Sequence, residues 1–338
     1  MATYISFQPS DFFNTTLYTG TALSHAITGV GFQPDFTWIK RRDGTYNHNL
    51  YDAVRGTTKE INSDLVNAES TVAEGLTAFG ADGFTLGTDD QSNASGDTFV
   101  GWNWKAGTTS GITTDGSTTI TPSAYSFDAA RGISILKYTG NGTSGAKLAH
   151  GLGVAPQMIA LKEIGGTEPW GGYRSSTGGG SAPADYGMAL NTNGAKDDDA
   201  SYFNDTIPDS VNITLGNGGR TNENTTEYIM YAFAPVIGFS HISNFRGSGN
   251  ADGPFAYCGF RPAFILSKSD GSSSSWAMYD DKRIGFNEEN AYLRANSDSA
   301  EVQTVEIDIV SNGFKIRTTD TNVNASGTVN GFIAFAEF

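Results

Sequence analysis

Apolar and polar positions change over at short intervals along this chain, and the apolar runs they leave are brief. DFTWIK (35–40), QMIALK (157–162) and AFILSK (263–268) are near-continuous apolar or β-branched stretches that follow Gly and Pro punctuation. Runs of that length without a polar face predict strands covered on both sides. FVGWNWK (99–105), YIMYAFA (228–234) and FIAFAEF (332–338) predict a second class of buried strand. Trp102 and Trp104 alternate in the first of these and so share a face, expected to be a core face. The Asp-Gly and Asn-Gly of DGF (82–84) and NGF (312–314) tolerate positive φ and predict turns into strands. NASG (93–96 and 324–327) predicts the turn before a closing strand. Helical periodicity is scarce; its best candidate, DAVRGTTKEINSDLVNAES (52–70), carries it weakly. The pattern predicts an all-β chain of sandwich or jelly-roll-like units.

These runs fall into three copies of one plan. Gly31, Gly153 and Gly259 stand three residues before Pro34, Pro156 and Pro262, and Lys40, Lys162 and Lys268 stand six residues after those prolines. Tyr51, Tyr173 and Tyr279 lie 17 residues past them. An aromatic-x-Gly element precedes each set: YTG (18–20), YTG (138–140) and FRG (245–247). Agreement at several fixed offsets marks internal repeats. A position kept in all three copies is expected to serve packing rather than ligand contact. The predicted organisation is an N-terminal arm at 1–14 and β repeats at 15–106, 131–236 and 237–338, with a Gly/Ser/Thr-rich linker or hairpin at 107–130. The junction FAPVIGF (233–239) has no flexible spacer, which predicts rigid packing of the second repeat on the third.

Composition narrows the function classes. Among 338 residues, 36 Asp and Glu against 21 Lys and Arg leave a formal net charge of −15, which repels a phosphate backbone and argues against nucleic acid as a partner. The same charge favours solubility of the free subunit. Cys258 is the single cysteine, so no intrachain disulfide forms, and its place beside Gly259 predicts a core thiol. The longest near-apolar stretch, YIMYAFAPVIGF (228–239), falls far short of the ~20 residues that cross a bilayer, so no membrane insertion is expected. The opening residues lack the basic-then-apolar pattern of a secretory signal, and synthesis in a reducing cytoplasm is expected.

Candidate chemistry is thin. GNGTSG (140–145) fits a dinucleotide fingerprint, but AKLAHGLGVAP after it cannot supply the helix the fingerprint needs, and a hairpin turn is expected. His25, His48, His150 and His241 show no ligand spacing. DDDA (197–200) and TDDQSN (88–93) lack a calcium-loop pattern and read as solvated loop acids. No nucleophile elbow occurs, and no catalytic residue, cofactor or metal is expected. Loop residues unique to one copy are better contact candidates. The glycine-rich segment WGGYRSSTGGGSAPADYG (170–187), expected to be mobile or ordered by a partner, offers Trp170, Tyr173, Arg174 and Tyr186.

The phrases SFQPSDFFNTTLYTG, ITGVGFQPDFTWIKRRD, ADGFTLGTDDQSNASG, KYTGNGTSGAKLAHGLGVAPQMIALK and GSGNADGPFAYCGFRPAFILSK resemble, in order and over nearly the whole chain, a family of tailed-phage virion proteins from marine and aquatic viruses. Its members usually carry tail-fibre or tail structural labels. The resemblance implies a non-enzymatic protein of the virion surface, assembled in the host cytoplasm beside other virion proteins. A tail-fibre or tail-associated role in host adsorption is expected first, with a host surface glycan or protein as receptor. A head decoration (cement) protein is the alternative, because three similar units in one chain can form a pseudo-threefold body suited to a symmetric site on a particle, or to a homo-oligomer. A polysaccharide depolymerase comes third. It would need two carboxylates ~5–10 Å apart in a cleft lined by exposed aromatics.

Overall fold

Successive side chains of a strand point to opposite faces. The main strands here are apolar on both, so each sheet needs cover on two sides. A computed structural model, which describes residues 5–271, 274–283 and 289–337, shows where the cover comes from. Each repeat contains an antiparallel sheet with the same order of opening, closing, Lys and Tyr strands. In the first repeat these are Phe13–Thr19, Thr98–Trp104, Phe36–Arg41 and Asn49–Asp52. The second uses Ile133–Thr139, Glu227–Phe233, Met158–Glu163 and Gly171–Arg174. The third uses Ser240–Arg246, Val329–Ala336, Pro262–Ser269 and Ala277–Asp280.

A smaller layer covers the outer face of each sheet. It comprises His25–Thr28, Leu76–Gly80 and Gly83–Leu86 in the first repeat and Ala146–Ala149 paired with Asn212–Leu215 in the second. In the third the sheet runs on through Glu289–Arg294, Val302–Val310, Gly313–Ile316 and Phe255–Tyr257 to eight strands, and its two edge strands come into contact. The chain is all-β, as the hydrophobic pattern predicts.

Each outer layer closes a private core: Ile39, Tyr51, Phe84 and Phe99 in the first repeat, Leu136, Leu161, Tyr173 and Met230 in the second, Ile265, Tyr279, Phe314 and Phe332 in the third. The alternate residues of the same strands turn the other way and meet. Phe36, Trp38, Trp102 and Trp104, Met158, Ile229 and Tyr231, and Phe264, Leu266, Ile333 and Phe335 belong to one core shared by all three sheets. The near-continuous apolar runs are thus explained by two different cores, one on each face.

Contacts around the shared core repeat with a cyclic hand. The residue before or at the start of each Tyr strand is His48, Trp170 or Trp276. Trp170 Nε1 donates to Asn62 O of the first repeat at 3.0 Å, and Trp276 Nε1 donates to Ala189 O of the second at 3.0 Å. His48 takes the third place, 2.9 Å from Arg294 O of the third repeat. Its Nδ1 accepts from Trp38 Nε1 at 2.8 Å, so the proton sits on Nε2 and is donated to that carbonyl. Burial holds the His48 pKa well below the ordinary histidine range, which keeps it in this neutral form. At the far end of the Tyr strand the partners run the opposite way round. Asp52 accepts from Tyr231 Oη of the second repeat at 2.7 Å, and Asp280 accepts from Trp102 Nε1 of the first at 3.0 Å. In the second repeat the position is Arg174, which pairs with Asp270 of the third. Each repeat contacts its two neighbours through different surfaces, and the ring closes on itself as a cyclic trimer does.

The repeated residues have local reasons. Gly20, Gly140 and Gly247 each lie where a Cβ would strike the backbone carbonyl of Ala94, Glu223 or Ala325, in the turn before the closing strand. The amide of a buried Asn pins that turn. Asn93 Nδ2 donates to Gly87 O at 2.7 Å, Asn222 Nδ2 to Gly216 O at 2.9 Å and Asn324 Nδ2 to Asn250 O at 2.8 Å. Gly140→Ala is therefore expected to lower stability by about 1–3 kcal/mol in a urea titration, because backbone must move to admit the methyl. Gly116→Ala, with open space around it, should be neutral. Equal midpoints for the two variants would contradict the close approach.

Three boundary expectations are corrected. Residues 52–70 form no helix. Leu50 bridges Ile61, Lys59–Glu60 pairs with Ser70–Thr71, and the polar residues that weaken the helical period are buried at fixed partners: Asp52 at Arg55, Glu60 at Tyr51. The 107–130 segment is not all linker, since Ala124–Asp128 pairs with Ile133–Thr139 as an edge strand and Ile120 is buried. Nor is the 1–14 arm free, for Phe13 opens the first strand and Phe7 packs edge-on to Phe239 at 5.5 Å.

Candidate functional site

The residues that define the repeats are structural. Gly31, Gly153 and Gly259 have φ of 86°, 70° and 82°, the left-handed conformation open to glycine, and each leads to Pro34, Pro156 or Pro262 at the approach to the Lys strand. Lys40, Lys162 and Lys268 are buried and brace the loop that follows. Lys40 Nζ donates to Arg41 O at 2.6 Å, Lys162 Nζ to Glu163 O at 2.9 Å and Gly166 O at 3.1 Å, and Lys268 Nζ to Ser269 O at 2.9 Å and Ser274 Oγ at 3.0 Å. Burial pulls all three amines down to about 8.

Tyr51, Tyr173 and Tyr279 are buried. Tyr51 donates to Glu60, Tyr279 donates to Glu306 at 2.9 Å, and Tyr173 packs edge-on to Phe203 at 5.6 Å. Burial pushes Glu306 up to about 7, with the Tyr279 bond opposing. A carboxyl whose folded pKa exceeds its free value gives stability that is complete below about 4.5 and is lost as pH rises through about 7. Glu306→Gln keeps the acceptor and removes the titration. The stability difference between pH 5 and pH 8, measured by urea unfolding, should shrink by about 3 kcal/mol in this variant. An unchanged difference would place the titration elsewhere.

The contact loop expected at Trp170, Tyr173, Arg174 and Tyr186 is corrected. Trp170, Tyr173 and Arg174 are 0%, 2% and 2% exposed and sit in or beside the Tyr strand. Their side chains serve the ring or the private core. Tyr186 is half-buried under Lys196 Nζ, 3.3 Å from the ring centroid. The glycine-rich segment is ordered by the neighbouring repeat: Asp270 accepts from Gly178 N at 2.7 Å, and Lys196 N donates to Asp270 O at 3.2 Å. Gly178, Gly179 and Gly180 adopt left-handed turns, the conformation that calls for glycine.

The sequence reading missed a polar cleft behind that segment. The second repeat places a short helix, Ala200–Phe203, and a hairpin of Tyr186–Gly187 with Asp197–Asp198 there. Asp199 caps the helix, accepting from Ser201 N at 2.8 Å. Of the acids at 197–200 and 88–93, Asp198 and Asp90 are exposed as expected, while Asp89 caps Asp90–Asn93 as Asp199 caps its helix. Gly187 must be glycine because a Cβ would meet the Tyr202 ring at 2.6 Å. Glu168, Asp197, Asp199, Ser201, Tyr202 and Arg220 line one chamber of about 220 Å³. Asp197, Tyr202 and Arg220 also line an adjoining chamber of about 230 Å³, with Lys196. Among the described residues no group of three or more side chains has metal-binding geometry. The one signal in the sequence was DDDASYF itself, a capping acid ahead of an aromatic pair.

Other candidates are accounted for by packing. All five tryptophans are buried, as is Cys258, whose thiol burial pushes up to about 12. His150 is buried, with Nδ1 accepting from Leu152 N at 3.2 Å. No described helix is long and apolar enough to cross a membrane.

Fold and site together define a class: an all-β protein of three repeats closed around a common core, with a polar cleft built by the second repeat. The chain belongs to the family described as a domain of unknown function, DUF7483, whose signature matches residues 8–338. No curated protein and no solved structure matches it.

Proposed function

We propose that the protein is a non-enzymatic structural component of a tailed-phage virion, exposed on the particle surface and seated at a threefold or quasi-threefold position of the head. The resemblance of its phrases to phage virion proteins supports the class. The cyclic set of contacts made by His48, Trp170 and Trp276 is the observation that favours the seat. A body with three similar faces presents similar loops to three surrounding subunits, whereas a fibre segment gains nothing from closing a ring. The five tryptophans are buried and supply no indole wall to a depolymerase cleft. Tail-associated adsorption is the second reading, favoured by the cleft that the second repeat alone builds from its own connection. Immunogold electron microscopy of intact virions separates the two. Label spread over the head is expected; label confined to the tail would move the seat there, and bare virions would sink both.

A further inference from the structure

The core shared by the three repeats contains a cavity of about 40 Å³. Its origin lies in the cross-strand pairs that face that core. Trp38 stands opposite Leu50 in the first repeat, and Leu266 stands opposite Met278 in the third. The equivalent pair in the second repeat is Ala160 opposite Gly172. Two residues before Trp38, Ala160 and Leu266, the residues Phe36, Met158 and Phe264 pair with Trp104, Phe233 and Phe335 of the closing strands, which fixes the equivalence. One wall of the core thus lacks the two large side chains that its siblings supply. The chain closes part of the gap with its own connection. Met188 N donates to Gly172 O at 3.0 Å, and a Cβ on Gly172 would meet Met188 O at 2.6 Å, so the segment carrying Met188 and Leu190 crosses the gap. Both residues line the cavity that is left.

By volume the cavity admits water, since about 10–15 Å³ accommodates one molecule, but a buried water also needs two to four polar partners. The polar atoms of the lining rings are engaged elsewhere. Trp38 Nε1 donates to His48, Trp170 Nε1 to Asn62 O, Trp276 Nε1 to Ala189 O and Tyr231 Oη to Asp52. Trp104 Nε1 has no partner, but neighbouring atoms cover it and it offers the cavity nothing. We infer that this cavity binds a small apolar molecule of about the size of xenon, with no hydrogen-bonding groups. Apolar cavities stay dry and take up such ligands, whose dispersion contacts replace those that the small Ala160 and Gly172 leave unmade. The site depends on the folded chain alone and not on the proposed place on a virion.

The five methionines supply the reporters. Met158 and Met188 line the cavity, whereas Met230 lies in the private core of the second repeat. The test is methyl NMR of the purified full chain, carbon-13 labelled at methionine, under rising xenon pressure. The Met158 and Met188 signals should shift and saturate while Met230 stays in place. Ala160→Val grows into the cavity and should abolish those shifts while holding or raising Tm. Leu190→Ala enlarges the cavity and should tighten xenon binding at least twofold, which keeps the test valid if Ala160→Val folds poorly. Signals that do not move, signals that all move in simple proportion to pressure, or shifts that neither substitution alters would overturn the inference.

Discussion

Asp52→Ala is expected to lower the free energy of unfolding by about 3–5 kcal/mol, because it leaves a buried guanidinium without its main counter-charge. Asp52 is fully buried and accepts from Arg55 Nε at 2.6 Å, from Arg55 N at 2.8 Å and from Tyr231 Oη at 2.7 Å. The Arg55 side chain is 1% exposed, and a guanidinium does not shed its proton to escape the penalty. Glu69, at 3.2 Å, offsets part of the loss. Tyr231 belongs to the second repeat and its ring to the shared core, so the damage spreads beyond the first sheet. Asp43→Ala, which breaks a half-exposed pair with Arg41, should fall within about 1 kcal/mol of the parent. Urea titrations of both variants decide the matter; an Asp52→Ala midpoint as mild as that of Asp43→Ala would show the buried pair to be dispensable.

The third repeat expressed alone, residues 237–338, is expected not to persist as a folded monomer. Its private core would survive, but Ile242, Phe264, Leu266, Trp276, Met278, Ile333 and Phe335 would lose the other two sheets and face water. A contiguous apolar patch of that kind drives association. Because the contacts are cyclic, the least costly repair is three copies joined by the same surfaces. Size-exclusion chromatography with light scattering should report trimers or larger species. A monodisperse monomer with a cooperative melt would mean that the shared core is not needed for folding.

That expectation marks the limit of what the sequence made legible. The three-copy plan, the strand class and the core face of Trp102 and Trp104 followed from spacing and period, since both are local and both are written in residue order. Apolar runs revealed that each main strand was covered twice, but not that the second cover was another repeat. The partners of Trp170 and Asp52 lie 108 and 179 residues away, and no local pattern encodes such distances. Arg174 and the glycines after it looked like an exposed loop for the same reason: the charge that orders them, Asp270, comes from the next repeat. The cleft stayed hidden because Tyr202 and Arg220 are far from Glu168 in sequence and carry no shared motif. The segment 52–70 failed as a helix because Asp52 serves Tyr231 of the second repeat and Glu60 serves Tyr51 of the preceding strand, a tertiary demand that overrides weak propensity.

The three braced lysines make each repeat separately addressable by chemistry. Lys40, Lys162 and Lys268 are 0%, 0% and 1% exposed, one to a repeat, while acylating reagents need a free amine in water. Treated in the native state, the chain would be modified at its surface amines first, and each braced amine would react only when its own loop opened. Peptide mapping over time then yields three opening rates from one sample. If the repeats breathe independently the three rates differ; if the common core makes them a single cooperative body, the three lysines are lost together.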